Sequence, residues 1–248
     1  MFVFPFSMLS DSSSGSYTAN GVVFDGTNDY LSYTSALTGE SDTDKISVSF
    51  WYADQGGNSS EYMFVGVKSP YRYFNLKWSS NGSTCLIELY NSSKIKLLDG
   101  AFMIPSGTGW HHFILSIDLS NSLKRNIYID DSALSVTWTS YTYGNIGVTT
   151  TDTHYIGGSS STKVNAYLAD FWLDFGSYLD ITDSAVRRLF ISATGKPVYL
   201  GATGNVPTGT APTMFFSGAT AGWETNLGTG GGFTENGALT TAPSSPSS

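Results

Sequence analysis

With 248 residues, the chain is long enough for one large β domain or two small ones. Hydrophobic residues make up 40% of it and aromatic residues 15%, a content that supports a sizeable core and excludes global disorder. The formal net charge of -8 and the lack of a basic run disfavour nucleic-acid binding, because a phosphate backbone would be repelled.

The chain begins with an apolar segment. Its hydrophobic part, MFVFPFSML, is about nine residues long, contains Pro5 and lacks a preceding basic region. Such a run is a poor secretory signal and is far too short to span a membrane. We therefore expect residues 1–19 to form an arm that packs on its own domain or on a neighbouring subunit, and we expect no membrane insertion.

Residues 20–200 show a dominant period of two, which is typical of β-strands with one face on a core. In KISVSFWY, Ile46, Val48, Phe50 and Tyr52 fall on one face, and the serines between them fall on the other. The same alternation occurs in HHFILSIDL, RNIYIDD and AYLADFWLDF, and turn-forming clusters such as DGTND and LSNSLKRN separate these segments. The pattern predicts an all-β fold, an antiparallel β-sandwich of the jelly-roll type.

One short helix is predicted near residues 181–192, with Asp180 or Thr182 as its N-cap. Beyond it, Gly, Thr, Ser and Pro dominate residues 201–248. Within that segment TMFFSG predicts one strand that returns to the sandwich, and TAPSSPSS predicts a tail that is disordered or bound to a partner. The expected organisation is an arm, a jelly-roll domain over residues 20–200, and this C-terminal segment.

Two adjacent histidines, His111 and His112, raise the question of a metal or catalytic pair. Neighbouring side chains of a strand point to opposite faces, so the two cannot easily chelate one ion. A zinc site needs a third and usually a fourth ligand, and His154 is the chain's one further histidine. We expect no metal site, with His111 at the start of a core-facing row. The single cysteine, Cys85, is expected to be a buried apolar side chain.

Paired carboxylates are the next candidates for chemistry. In LADFWLDFG, Asp170 and Asp174 are predicted to share an outer sheet face with Trp172 between them, and Tyr167 and Ala169 to share the opposite, core-facing row. The three outer side chains could contact a sugar or a cation. The glutamates form no row of the kind that a glycosidase needs, and neither a nucleophile elbow nor a phosphate-binding loop is present. We therefore predict no catalytic residues and no enzyme activity.

Aromatic side chains are the other binding candidates. Trp138, Tyr141 and Tyr143 lie in VTWTSYTYGN, a Thr- and Tyr-rich stretch that could line a glycan groove. The alternative is that each is an ordinary, half-buried aromatic residue on a sheet face.

Several segments together resemble laminin-G-like, or concanavalin A-like, jelly-roll domains. These are GVVFDGTNDYL, KISVSFWY, GWHHFILSIDLSNSLKRNIYIDD and HYIGGSS followed by AYLADFWLDFGSYLD, and they cover roughly residues 20–190 in the family's order. Many family members have a calcium-binding Asp where this chain has Ala169, and Asp170 points to the other face. The resemblance therefore implies the fold but not the family's calcium site, and no cofactor is expected.

A narrower resemblance links YLADFWLDFGSYLD and the C-terminal segment to laminin-G-like virion proteins of tailed bacteriophages. It implies a bacteriophage virion structural protein: a capsid decoration, head-fibre or tail-associated subunit, exposed on the particle and attached to other virion proteins through its chain ends. Such a protein would be made in the host cytoplasm without a signal peptide and would form a homo-oligomer. The alternative is a carbohydrate-binding receptor or adsorption module that recognises host-surface glycans.

Overall fold

The computed structural model describes residues 17–79, 82–105 and 107–248. Most of the predicted N-terminal arm therefore lies outside the described residues. The secondary structure consists of β1 (Val22–Asp25), β2 (Tyr30–Tyr33), β3 (Lys45–Asp54), β4 (Tyr62–Lys68), β5 (Tyr71–Trp78), β6 (Thr84–Tyr90), β7 (Lys96–Met103), β8 (His111–Asp118), β9 (Arg125–Ile129), β10 (Ser132–Ala133), β11 (Thr137–Tyr141), β12 (Thr153–Ile156), β13 (Asn165–Phe175), α1 (Ser184–Arg187), β14 (Met214–Phe216), β15 (Thr234–Asn236) and β16 (Thr240–Thr241).

The strands form two antiparallel sheets of eight strands each. Sheet I has the order β10-β9-β8-β3-β13-β1-β16, and β14 also pairs with β13. Sheet II has the order β11-β7-β6-β5-β4-β12-β2-β15. The predicted antiparallel jelly-roll sandwich with one short helix is confirmed. In the part of the chain that the structure describes, no helix is long and apolar enough to cross a membrane.

The main core lies between the two sheets. The predicted row from Ile46 to Tyr52 faces it, and Phe50 stacks on Phe113 and Phe171 at ring-centroid separations of 4.9 and 5.7 Å. Cys85 is buried in the same core, as predicted. Burial raises the pKa of its thiol far above the usual range, so this cysteine behaves as an apolar group.

A second core covers the outer face of sheet I. The chain between β13 and β14, residues 177–213, forms a covering segment whose apolar side chains pack there. Ser47 and Ser49, which the period-two pattern placed toward solvent, are consequently buried. Their hydroxyls are satisfied internally, for example by the 2.9 Å hydrogen bond between Ser47 and Ser116. Sheet I is therefore an internal layer rather than a half-exposed surface.

The helix is shorter than predicted, and its cap is different. It spans Ser184–Arg187, and the carboxylate of Asp183 caps it by accepting a 2.8 Å hydrogen bond from the backbone N–H of Ala185. Neither predicted N-cap begins the helix, because the carboxylate of Asp180 instead accepts from Thr182 in the turn before it. The helix therefore lies within the predicted stretch of 181–192 but is shorter than it.

The C-terminal segment contributes three strands rather than one strand and a tail. β14 joins the centre of sheet I, β16 joins the edge of that sheet, and β15 joins the edge of sheet II. The last residues also pack on the domain, because the hydroxyl of Ser245 donates to the Ala19 carbonyl at 2.6 Å and the Ala19 N–H donates to Ser247 at 3.0 Å. Edge strands have unpaired backbone groups, and the pairing of β16 with β1 and of β15 with β2 satisfies part of them within the molecule.

Candidate functional site

A bulge in β13 changes which side chains face the core. Asp170 has a left-handed backbone, φ 47°, and its register against β3 shifts between Ala169 and Trp172. The extra residue leaves Phe171 in the main core but moves Ala169 to the outer face, where it packs against Trp51. The prediction that Tyr167 and Ala169 face the main core is therefore wrong.

The predicted ligand contacts on β13 lie inside the protein. Trp172 is fully buried and donates a 2.8 Å hydrogen bond from Nε1 to the Gly204 carbonyl. Asp174 is also buried and accepts a 3.1 Å hydrogen bond from the Thr213 N–H. The expectation that these side chains face solvent is wrong, because the covering segment packs over them. The second core thus uses Trp172 as a structural anchor.

Asp170 is the most unusual carboxylate of this layer. Its Oδ1 accepts hydrogen bonds from the Tyr17 hydroxyl at 2.8 Å and the Ser217 hydroxyl at 2.6 Å, while its Oδ2 has no partner among the described residues. Burial raises the pKa of Asp170 to about 6. The side chain ties Tyr17, near the end of the predicted N-terminal arm, to the body of the sandwich.

The two histidines point away from each other, as predicted. His111 Nδ1 contacts Asp130 Oδ2 at 2.6 Å, and His112 Nε2 shares a 2.9 Å hydrogen bond with the Ser49 hydroxyl. Burial lowers the pKa of His112 to about 3, so its ring is neutral at physiological pH. Across the ranges 17–79, 82–105 and 107–248, no three His, Cys, Asp or Glu side chains form a group that could hold a metal ion.

The aromatic stretch of β11 closes one edge of the sandwich. The Arg125 guanidinium of sheet I lies 5.0 Å from the Trp138 ring and 5.1 Å from the Tyr141 ring. The Tyr141 hydroxyl donates to the Leu119 carbonyl at 2.7 Å, and Trp138 lies so close over Gly100 that a Cβ there would be 2.4 Å from its ring. Of the three predicted aromatic contacts, Tyr143 is the one that is largely exposed, at 66%.

An open cleft lies on the outer face of sheet II, opposite the second core. We call it the sheet II cleft; its volume is about 400 Å³. Strands β4, β5 and β6 and the turns beside them supply its walls. The lining residues are Tyr62, Pro70, Tyr71, Arg72, Asn75, Lys77, Glu88, Tyr90 and Lys94.

Sequence reasoning missed this cleft, and a second bulge changes the face of one of its lining residues, Arg72. In β5 the register against β4 shifts so that Val67 pairs with Arg72 and Gly66 pairs with Phe74, which leaves Tyr73 as the extra residue. Strict alternation would place Arg72 on the side of Phe74, toward the core. The bulge instead lets Arg72 line the same outer face as Asn75. The mixture of polar and aromatic residues in YRYFNLKW was the sequence feature that could have indicated a binding cleft here.

Asn75 is the central residue of the sheet II cleft. It lines the cleft but is 0% exposed, since the neighbouring lining side chains cover it. Neither its Oδ1 nor its Nδ2 has a hydrogen-bond partner in the described part of the chain. A buried amide without partners costs about 1–3 kcal/mol per unsatisfied group. This position therefore holds one donor group and one acceptor group that the protein itself does not use.

The charged side chains of this face are only partly neutralised. Glu88 contacts Lys77 at 3.2 Å and Lys96 at 3.0 Å, and Lys96 also contacts Asp99 at 2.8 Å. Burial alone would raise the pKa of Glu88, but the two ammonium groups outweigh it and hold the pKa below its usual range. Glu88 is therefore a fixed carboxylate with its charge balanced by lysines.

A second depression, of about 350 Å³, adjoins the sheet II cleft. The two share Tyr62 and Arg72, so they lie side by side on the outer face of the sheet. The second depression extends to β12 and the serine-rich turn after it, including Tyr155 and Ser160.

Comparison with known proteins gives no family for this chain and a few distant structural likenesses. No family model and no curated protein matches the chain. A heptameric SAP-like pentraxin from Limulus polyphemus is 13% identical with a TM-score of 0.45, over 63% of this chain and 76% of that one. Domains LG4-5 of the mouse laminin α1 chain are 11% identical with a TM-score of 0.46, over 64% of this chain and 41% of that one. The botulinum neurotoxin serotype D binding domain is 12% identical with a TM-score of 0.46, over 68% of this chain and 47% of that one.

The matched regions span less than half of the laminin and toxin chains. All three proteins have the concanavalin A-like jelly-roll fold that the sequence predicted for this chain. The low sequence identities and TM-scores describe a likeness of fold alone.

Proposed function

We propose that this chain is a saccharide-binding module and that the sheet II cleft is its binding site. The proposal takes up the adsorption module that the sequence left as an alternative, and moves its site from β11, at the edge of sheet II, to strands β4, β5 and β6 of the same sheet. The cleft presents the rings of Tyr62, Tyr71 and Tyr90 together with polar groups. Aromatic faces pack against the C–H groups of sugar rings, and nearby polar groups fix the orientation of a ligand.

The observation that carries the proposal is the unpartnered amide of Asn75. An amide offers an acceptor and two donors on one planar group, which suits the adjacent hydroxyls of a sugar. A ligand that satisfies these groups recovers the cost of leaving them unpaired, and a ligand without hydroxyls does not. Because Arg72 and Lys77 have long, flexible side chains, a ligand can reach Asn75 by displacing them.

A glycan array followed by calorimetry on the best saccharide tests the proposal. We expect Asn75→Ala and Tyr71→Ala each to weaken binding by about tenfold or more. Tyr199→Ala is the matched control, because Tyr199 is an equally exposed tyrosine, at 53% against 44% for Tyr71, but stacks on Tyr17 on the sheet I side. Loss of binding in Tyr199→Ala or Tyr143→Ala, with Asn75→Ala unaffected, would contradict this site.

The proposed activity is binding without catalysis. Glu88 is the carboxylate that lines the cleft, and its lowered pKa keeps it ionised at neutral pH, so it is a poor general acid. Its two lysine contacts also occupy the oxygens that a general base would use. We expect mass spectrometry to recover a bound oligosaccharide intact after long incubation. Appearance of shortened products would contradict this part of the proposal.

The wider proposal, a virion structural protein, rests on the sequence resemblance and on the positions of the faces. Tyr17 and Ala19 lie on the outer face of sheet I, through contacts with Asp170 and Trp51, whereas the cleft lies on sheet II. Attachment of residues 1–16 to other virion proteins would thus leave the cleft facing host-surface glycans. Cryo-electron microscopy of the particle tests this, and a copy whose sheet II is buried against the capsid or tail would contradict it.

A further inference from the structure

We infer that the saccharide bound in the sheet II cleft carries an anionic substituent, a carboxylate or a sulfate, and that Arg72 and Lys94 receive it. This inference rests on the proposed function, since it names the class of saccharide for the same site. It assigns specificity to side chains that no sequence motif singles out.

The distribution of charge is the first argument. The chain has 12 Lys and Arg against 20 Asp and Glu, so a typical patch of its surface is acidic. The cleft and its border reverse this balance, with four cationic side chains against the carboxylates of Glu88 and Asp99. The four are Arg72, Lys77, Lys94 and Lys96. A local excess of positive charge on an acidic protein favours an anionic ligand at this place.

The second argument is that two of these cations are not neutralised. Lys77 and Lys96 are paired with Glu88 at 3.2 and 3.0 Å. For Arg72 and Lys94, by contrast, the described residues provide no carboxylate oxygen within 4.0 Å. An unpaired guanidinium or ammonium keeps its hydrogen-bond donors for a ligand. These two side chains are therefore the ones that can accept an additional negative charge.

Both free cations are also positioned by tyrosine rings of the cleft. The Arg72 guanidinium lies 4.9 Å from the centre of the Tyr62 ring, and the Lys94 ammonium lies 3.7 Å from the centre of the Tyr71 ring. A cation on an aromatic face leaves donors at its edge free to bind an anion. An anionic substituent on a sugar that packs against the same tyrosines would meet these donors.

The turn between β6 and β7 fixes Lys94 in place. Its backbone is left-handed, φ 67°, a conformation that Gly or Asn adopts more readily than Lys. Asn91 holds the turn, because its side chain accepts from the Ile95 N–H at 2.8 Å and its carbonyl accepts from the Lys94 N–H at 2.9 Å. The turn thus keeps a lysine in an unfavourable conformation at the rim of the cleft.

The test uses saccharides that differ only in charge. Lactose, sialyllactose and sulfated lactose form one series on the array, and each further neutral glycan is printed beside its carboxylated and sulfated derivatives. We expect the anionic members to bind the full chain about tenfold more tightly than the neutral ones at low salt. The carboxylated and sulfated arms show which anion the cleft prefers.

Charge-removing variants locate the anion. Arg72→Gln and Lys94→Gln should each reduce binding of the anionic saccharide about tenfold and that of its neutral counterpart less than about twofold. Lys124→Gln is the control, since it removes the same charge from a lysine 4.9 Å from the Tyr178 ring in a hairpin of sheet I. Folding of every variant is checked by thermal unfolding.

The outcomes separate this inference from the proposed function. If neutral and anionic saccharides bind equally and Asn75→Ala still abolishes binding, the anionic inference is wrong and the saccharide site stands. If no saccharide of the array binds, the proposed function itself fails. If anionic saccharides bind but Arg72→Gln and Lys94→Gln bind as well as wild type, the anion lies elsewhere and the assignment of these residues is overturned.

Discussion

At the scale of single residues, the proposed function depends on one buried amide that lines the sheet II cleft. Asn75 is fully covered and both ends of its amide lack hydrogen bonds within the described chain. Protein interiors rarely keep such groups, since each one opposes folding. By this reasoning the residue lowers stability in the free protein, and the proposed saccharide would satisfy its amide.

This account predicts an opposite effect of one substitution on stability and on binding. Asn75→Ala should raise the free energy of unfolding by about 1 kcal/mol, because it removes an unsatisfied amide at the cost of a few packing contacts. The same variant should lose saccharide affinity. Urea denaturation of variant and wild type measures the first effect. A decrease in stability, with saccharide affinity retained, would indicate that Asn75 is an ordinary structural residue.

Asp170 predicts a pH-dependent contribution to stability. Its carboxyl titrates at 3.8 when unperturbed and at about 6 in the folded protein. The folded state therefore holds a proton that the unfolded state releases between these values. The resulting stabilisation is complete in acid and is lost as the pH rises through about 6, an effect of about 3 kcal/mol.

Asp170→Asn isolates this contribution, because Asn cannot titrate and tolerates the left-handed backbone at this position. We expect the variant to gain stability relative to wild type as the pH rises from about 4 to about 7. Chemical denaturation over this pH range gives the difference directly, and the opposing titration of His112 cancels in it. A difference that stays constant with pH would contradict the raised pKa.

At the scale of secondary-structure elements, the strands were predictable and the faces of two of them were not. The alternation of apolar and polar residues predicted β3, β8, β9 and β13, because successive side chains of a half-buried strand point to opposite faces. A bulge inserts one residue and reverses the alternation beyond it, and nothing in the letters around Asp170 or Tyr73 marks this. This is the common cause of the wrong face predicted for Tyr167 and Ala169 on β13 and of the outward position of Arg72 on β5.

The covering segment was also beyond sequence reasoning. Polar residues such as Ser47, Ser116 and His112 indicate a solvent-facing side, and only long-range packing buries them under residues 177–213. The hydroxyl of Ser47 reaches the Ser177 carbonyl at 3.0 Å, so the covering segment itself satisfies part of this layer. The pattern of neighbouring residues contains no information on a contact between Ser47 and Ser177, which lie 130 residues apart in the sequence.

The second core predicts a structural role for the tryptophan of β13. Trp172→Ala should lower the free energy of unfolding by about 3–5 kcal/mol, because it leaves a cavity beside Phe190 and removes the hydrogen bond to Gly204. Tyr143→Ala, at an exposed position, should change it by less than about 0.5 kcal/mol. Thermal or urea unfolding compares the two. A stable Trp172→Ala variant would show that the covering segment does not depend on this ring.

At the scale of the whole molecule, the outer faces of the two sheets have different surroundings. Sheet I is buried on both sides, and the last residues of the predicted N-terminal arm, Tyr17 and Ala19, and those at the C-terminal end pack on it or at its edge. Sheet II leaves its outer face open and has the cleft there. The chain therefore has a closed side that can be anchored and an open side that can meet a ligand.

The cationic side chains of the cleft, Arg72 and Lys94, make its affinity for an anionic ligand sensitive to salt. Counter-ions screen charges over about 10 Å at 0.1 M ionic strength. Affinity for an anionic saccharide should therefore fall several-fold as ionic strength increases tenfold, while affinity for its neutral counterpart changes little. Calorimetry at a low and a high salt concentration measures both. Equal salt dependence of the two saccharides would contradict a role for the unpaired cations.

The most direct test of the central claim is the structure of this protein with a saccharide bound. We predict that the sugar lies on the outer face of sheet II, within about 3 Å of the Asn75 amide and against the Tyr71 ring. A saccharide bound instead beside Tyr143, or on the side of the covering segment, would contradict the account.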